Sequence, residues 1–369
     1  MSKRSNHAIV FGASGLIGWA LVDQLLNSYP TADSFSKITA VTNRPLNFSK
    51  SYWPEPDSNR PQLQLVSGIN LRHGDGATLA DSLKQEVEDI GSITHLYYLV
   101  FTAIEDDIEE AAVNRRMFQN VIDALGLVSP HLQFVVFPGG TRGYGIYAAG
   151  GSFSPPLNED MVNNLPLDYA KTVVYPMYRA MLDKASQEKK WTWCEVCPDA
   201  IIGFTPNGSQ FSLALHWAQY LSLYAYNHAI GPHTKESQAT AVKVPFPGNT
   251  AGANSLFSPV SSDTIARFMI YASLHPETCG NGRLFNISDN ETPCKYGDLW
   301  PRLARWFGLE GMGPAEDLQT GSNPLRVGEL PQSLSLPLPG EYIARYRAVF
   351  EKCGCKNAAS AGVGAGTGN

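Results

Sequence analysis

The chain places three glycines at three-residue intervals, Gly12, Gly15 and Gly18, where an apolar run (Ile9, Val10, Phe11) gives way to apolar residues at helical spacing (Leu16, Ile17, Ala20, Leu21, Leu25). Few folds can use that arrangement. A helix N-terminus carries four unpaired N–H groups and the positive end of the helix dipole. Glycine lets such a backbone approach an anion with no Cβ in between. The spacing G-x-x-G-x-x-G is a variant of the dinucleotide fingerprint. It predicts a strand, a phosphate-cradling turn and a helix, with Gly12, Ser14, Gly15, Leu16, Ile17 and Gly18 against a dinucleotide. A tight turn without a ligand is the alternative.

The rest of the pattern agrees with such a start. KITAVTNRP (37–45), residues 63–68, THLYYLVFTA (94–103), HLQFVVFPGG (131–140) and WTWCEVCPDAIIG (191–203) read as strands. Helical periodicity falls between them at 77–89, 106–125 and about 171–188. Strands alternating with helices predict a Rossmann-like, doubly wound parallel sheet of the α/β class. A Gly/Pro/Ser-rich loop occupies 141–167. From 204 the character changes: an aromatic helix at 211–227 (Phe211, Trp217, Tyr220, Tyr224, Tyr226), strand-like VKVPFPG and LFSPVSS, a strand RLFNISDNET returning to the sheet, and a helix near 298–307. The expected division is a Rossmann domain over 1–203, a smaller, mainly helical substrate-binding region over 204–355, and a disordered Gly/Ala/Ser-rich tail over 356–369.

A net charge of −6 gives no electrostatic footprint for nucleic acid or an acidic membrane. No apolar run approaches the roughly 20 residues of a membrane span, and MSKRSNHA runs straight into the first strand without a signal peptide. Cys194 and Cys197 form a C-x-x-C, but on a strand this spacing points the side chains to opposite faces. With no second such pair, neither a metal site nor a redox pair is expected, and the thinly spread cysteines fit a reducing, cytoplasmic setting.

The end of the second strand selects the nucleotide. Sites for NAD place a carboxylate there; here the chain reads Thr42-Asn43-Arg44, with an arginine able to grip a 2′-phosphate in bidentate fashion. The expected cofactor is NADPH. Asp75 in HGDG stands near the expected adenine, with a plain turn residue as the competing reading. Val100, Thr141 and Ile201 complete the expected cofactor contacts.

The Tyr-x-x-x-Lys motif of ordinary short-chain reductases is absent: Tyr169-Ala-Lys171 has the wrong spacing, and Tyr175-Pro-Met-Tyr-Arg179 ends in arginine. The chain instead resembles the progesterone 5β-reductase/iridoid synthase-like branch of the short-chain dehydrogenases/reductases. THLYYLVF is similar to that family's THIFYVTW, MFQNVIDAL to MFRNVLDAV, and WTWCEVCPDAIIGFTP to LTWSVHRPGTIFGFSP; the likeness covers nearly all of 7–310. The resemblance implies a catalytic tyrosine at Tyr175. It also implies that the family's lysine, in TGTKHY, is Arg142 here. Arginine keeps the charge but cannot share a proton.

The implied activity is NADPH-dependent reduction of an activated C=C (enone or enal) or C=O bond in a hydrophobic small molecule of secondary metabolism. Tyr175 would donate to the oxygen, with Arg142 on the cofactor ribose. Loop 143–153 and helix 211–227 would form the substrate pocket, with Tyr144, Phe204, His216 and Tyr220 as contacts. The missing lysine motivates a second class, a redox-neutral cyclase or isomerase that keeps the nucleotide. A nucleotide sensor without catalysis is a third. Oligomeric state is left open, a homodimer being one reading.

Overall fold

The run Ile9–Phe11 lies at the heart of the sheet it predicts. The computed structural model describes residues 6–148, 150–228, 242–314 and 338–355. In it β1 (Asn6–Phe11) pairs in parallel with β2 (Phe35–Thr42) on one side and β4 (His95–Tyr98) on the other. With β3 (Gln62–Ser67), β5 (Phe134–Pro138), β6 (Thr192–Pro198) and β7 (Arg283–Ile287) these form a seven-stranded, all-parallel sheet ordered β7-β6-β5-β4-β1-β2-β3. All the strands therefore end at one edge. The order reverses at β1, the topological switch point where doubly wound sheets bind their ligands.

Both faces are covered, which is why the central strands read as unbroken apolar runs. On one face Ile9, Phe11, Leu96, Tyr98, Val135 and Phe137 pack with α2 (Gly76–Glu86), α3 (Asp107–Val128) and α4 (Tyr175–Ser186). Phe118 of α3 stacks on Tyr98 with ring centroids 3.8 Å apart. On the other face lie α1 (Leu16–Leu26) and α5 (Ser262–Leu274), joined by Arg267 Nε donating to Gln24 Oε1 at 2.8 Å. Tyr97 and His95 point toward α5, where Ser273 takes both side chains.

The chain divides into two compact units, Met1–Pro198 with Ser262–Ile287, and Asp199–Ser261 with Ser288–Asn369. This corrects the expected boundary at 203. The sixth strand stops at Pro198, and Ala200–Ile202 is a separate strand that pairs with Pro259–Ser261 in the second unit. Helix α5, absent from the sequence reading, returns the chain to the sheet together with β7. The helix expected from 171 starts only at Tyr175. The expected disordered tail, 356–369, lies outside the described residues.

The second unit is built around aromatic packing. Its helix Leu213–Asn227 is capped by Ser212, and Trp217 and Tyr220 pack against Trp300 at centroid distances of 5.2 and 6.1 Å. Trp300 sits on the helix Tyr296–Trp306, and Tyr342, on the helix Pro339–Arg345, meets Tyr220 at 5.3 Å. Cys194 and Cys197 are free thiols. Among the described residues no helix is long and apolar enough to cross a membrane.

Candidate cofactor and catalytic site

The three glycines have different reasons to be glycine. Gly12 has φ +83°, and a Cβ there would lie 2.5 Å from the Leu99 carbonyl oxygen. A Cβ on Gly18 would run into the Gly12 carbonyl. Both are dictated by packing of the turn. Gly15 differs: its φ is −81° and ψ 176°, extended backbone open to any residue, and its added Cβ meets only the Gly12 oxygen, at 3.2 Å. Gly15 is the N-cap of α1, and no side chain caps that helix and no acidic residue occupies its first turn. The protein's own packing makes a side chain at 15 tight without forbidding it, and so does not by itself demand a glycine. An anion held at the uncapped helix end does, because a side chain would fill its cradle. The residues fit a dinucleotide pyrophosphate.

At the end of β2 the Thr42 hydroxyl donates to the Arg44 carbonyl at 2.9 Å and lies 3.0 Å from Ser67 Oγ. Thr42 is buried and holds the turn rather than offering a free donor, which corrects its expected role; Asn43 and Arg44 are exposed beyond it. Asp75, expected near the adenine, caps α2 through Oδ1, which accepts from Thr78 N and Oγ1, both at 2.9 Å. The Thr78 backbone bond holds its carboxyl below the usual range. Val100 follows β4, half-buried, and its backbone runs beside Gly12.

The turn after β5 carries the second half of the site. Gly140 is followed by a 3-10 turn, Thr141–Tyr144, closed by Gly143 N donating to the Gly140 carbonyl at 2.8 Å. Thr141 is half-buried within it. The ring of Tyr175, first residue of α4, lies against this turn: a Cβ on Gly140 would sit 3.1 Å from its Oη, and one on Gly143 would sit 3.2 Å from its Cδ2. Arg142 belongs to the turn on which the Tyr175 ring lies. Burial pushes the Tyr175 phenol well up, with Cys197 adding to the effect and Arg142 opposing it. The competing phenols are otherwise engaged. Tyr169 donates to the Arg142 carbonyl at 3.1 Å, and Tyr178 is buried among Tyr98, Phe118 and Phe137.

Arg142 is held by residues that the sequence reading missed. Its Nη1 donates to Glu110 Oε1 at 2.6 Å and its Nη2 to Asp107 Oδ1 at 3.0 Å. Burial alone would lower its pKa, but Glu110 outweighs this and the guanidinium is held above its ordinary value. Glu110 Oε2 also accepts from Ile104 N at 3.1 Å, and Asn114 brackets Thr102 through both its N–H and its carbonyl. One helix face of α3 therefore ties the loop after β4 to the turn after β5. The signal was present: Glu110 and Asn114, four apart, precede Met117, Val121 and Ile122 on the stripe that α3 buries.

Beneath the same turn lies an ion pair, Arg179 Nε to Glu195 Oε2 at 2.6 Å, with Glu195 1% exposed. Burial pushes the Glu195 carboxyl up, against the pull of Arg179.

The remaining expected residues are placed as follows. Tyr144 is 1% exposed and its hydroxyl donates to Asn286 Oδ1 at 2.6 Å, within a small apolar cluster with Val162 and Cys197. That interior position corrects its expected place on a pocket wall. Ile201, half-buried, and Phe204, 51% exposed, belong to the second unit. His216 and Tyr220 lie there too, buried on the helix Leu213–Asn227, and Tyr220 is part of the aromatic core rather than an open wall. A cavity of about 730 Å³ bordered by Phe35, Phe48 and Arg60 lies at the start of β2 and β3, the opposite edge of the sheet from the glycine turn.

Comparison with known proteins agrees with this architecture. The family described as a PRISE-like Rossmann-fold domain matches residues 8–334. The short chain dehydrogenase sirQ of Leptosphaeria maculans is 33% identical over 313 residues, covering 83% of this chain and 75% of the relative. A 3-oxo-Delta(4,5)-steroid 5-beta-reductase of Arabidopsis thaliana is 25% identical over 317 residues, covering 85% and 72%. Among solved structures, a UDP-glucose 4-epimerase superposes with a TM-score of 0.57 at 14% identity over 84% of this chain and 85% of its own, which is a likeness of fold.

Proposed function

Since the chain belongs to the PRISE-like Rossmann-fold family and is an oxidoreductase, we propose that it is an NADPH-dependent reductase of an activated C=C bond (enone or enal) or C=O bond in a hydrophobic small molecule. One observation carries the reading. The Tyr175 phenol is bracketed by Gly140 and Gly143 of the same turn that presents Arg142. That turn follows β5, at the sheet edge where the glycine turn follows β1.

A bound nicotinamide dinucleotide supplies the hydride. The protein supplies the rest. Gly15 and the uncapped end of α1 receive the pyrophosphate, and Arg44 is exposed where a 2′-phosphate would stand. Tyr175, its proton secured by burial at neutral pH, donates to the substrate oxygen as negative charge develops there, which is where a fixed donor in a dry site is most effective. Arg142, held by Glu110 and Asp107, anchors the ribose and keeps a cation beside the phenol. The name of the Arabidopsis relative, a 3-oxo-Delta(4,5)-steroid 5-beta-reductase, favours the conjugated C=C over an isolated carbonyl.

The redox-neutral reading has one observation in its favour. Two carboxylates on one guanidinium leave the cation beside Tyr175 more than neutralised. NADPH absorbance during turnover of a panel of enones, with product analysis, separates the two: stoichiometric oxidation supports the reductase, product without oxidation the cyclase or isomerase. For the reductase, Tyr175→Phe lowers kcat by roughly 10²-fold. Arg142→Lys keeps activity, since the charge is retained, whereas Arg142→Ala weakens NADPH binding. Normal turnover by Tyr175→Phe would refute the assignment of the donor.

A further inference from the structure

We propose that the buried pair Arg179–Glu195 is a positioning device that fixes the Tyr175 phenol against the Gly139–Gly143 turn; this rests on the reading of Tyr175 as the donor.

Tyr175 and Arg179 are four residues apart on α4 and so project from one face of the helix. Arg179 occupies the place of the lysine in a Tyr-x-x-x-Lys motif, but it turns to the sheet and binds Glu195 in the middle of β6 at 2.6 Å. The pair fills space that two glycines vacate. A Cβ on Gly139 would collide with Glu195 Oε1, and one on Gly143 would sit 3.5 Å from Arg179 Nη2. Gly143 thus faces both Tyr175 and Arg179. The turn rests on the tyrosine and arginine of α4, and the arginine is fastened to the sheet.

Apolar packing of Val174 also holds the start of this helix, and the ion pair adds a directional contact to the sheet. No side chain caps α4, whose N-cap Val174 is itself helical in conformation. The apolar anchors Tyr178, Met181 and Leu182 hold its later turns. A buried ion pair is also a poor device for stability alone, because the lost solvation of both charges offsets most of their attraction. Among the described residues Glu195 Oε1 and Arg179 Nη2 have no hydrogen-bond partner, so the pair is not even fully satisfied. A directional, short contact that locates one helix turn is what it provides. A displacement of the phenol of about 1 Å is the scale that can lower a rate 10²-fold.

The test replaces both charges at once, Arg179→Met with Glu195→Leu, so that neither is stranded. The folded protein is expected to melt within about 5 °C of the parent and to bind NADPH within about threefold of the parental Kd. On an enone that the parent reduces, kcat falls roughly 10- to 100-fold. The 13Cζ-tyrosine resonance of Tyr175, identified by its loss in Tyr175→Phe, shifts or broadens. An unmoved resonance in the double variant overturns the proposal, as does parental kcat. Should the double variant not fold, Arg179→Lys decides: it keeps the charge but loses the reach to Gly143, and an unmoved Tyr175 resonance there overturns the proposal equally. If the parent reduces no enone, the functional reading fails while the resonance still judges the positioning.

Discussion

Valine at position 15 should remove cofactor binding from a protein that stays folded. The backbone at Gly15 is extended and open to any residue, and the one tight contact, 3.2 Å to the Gly12 oxygen, is relieved by a shift of a few tenths of an ångström, unlike the collision at Gly18. Valine is a poor N-cap, so the cost is about 1 kcal/mol, or a fall in Tm of about 2–4 °C. Binding is another matter. The valine methyl groups would stand over the uncapped end of α1 and displace the pyrophosphate from its N–H donors. Hydrogen bonds to a charged group contribute about 1.5–3 kcal/mol each. Losing one or two, with the steric conflict, weakens NADPH binding by about two orders of magnitude or more. Gly18→Ala is the control with the opposite signature. Its methyl group runs into the Gly12 carbonyl, a backbone atom that cannot yield, and such overpacking costs about 1–3 kcal/mol. The assay is a fluorescence titration of NADPH beside thermal melts of parent, Gly15→Val and Gly18→Ala. Parental affinity in Gly15→Val would refute the reasoning and leave the turn a purely structural one. Parental stability of Gly18→Ala would refute the division of roles among the glycines.

Two further outcomes are expected. Arg44→Ala should reduce the preference for NADPH over NADH roughly 10- to 100-fold, the loss of a charge-assisted contact to a 2′-phosphate; equal affinity of the parent for both nucleotides would dismiss the cofactor assignment. His7 and His95 are buried and neutral, their pKa values lowered to about 4 chiefly by burial. The unfolded chain binds the extra protons, so stability present above pH 6.5 is lost as pH falls toward 4, at about 1.4 kcal/mol per pH unit for each histidine. Urea melts at pH 7, 5.5 and 4.5 measure this, and a flat profile would contradict it.

The parts of this molecule legible in its sequence are those set by near neighbours. The glycine turn declares itself within ten residues because the strand, the turn and the first helical turn are contiguous. The pairing of Arg142 with Tyr175 is expected from motif likeness alone, the spacing of the chain giving no hint of it. What stayed hidden depends on distant partners. Glu195 is a single charge in a strand buried on both faces, a sign that a cation must meet it, but nothing local says that the cation is Arg179. Tyr220 could have lined a pocket or filled a core. The choice is made by Trp300 and Tyr342, far along the chain. Thr42 ends β2 and Asp75 opens α2, places where a ligand contact and a turn or cap bond have the same sequence appearance.

The return of Ser262–Ile287 to the first unit has a consequence for the order in which the protein can be made. As the chain leaves the ribosome, β6 is the outermost strand of an otherwise finished sheet, with its free edge exposed and α1 without the helix that packs on it. The helix arrives only with Leu274 and the edge strand only with Ile287, both after the whole intervening segment Asp199–Ser261 has emerged. A bare edge of parallel strand is a template for pairing with the wrong chain. The first unit is therefore not a detachable cassette. A fragment ending at Pro198 would hold the glycine turn, Arg142 and Tyr175, yet would carry them on a sheet that has lost its last strand and one of its covering helices. A fragment excised to keep this sheet whole must retain the chain through Ile287, and nascent chains stalled short of it are the ones that a chaperone would need to shield.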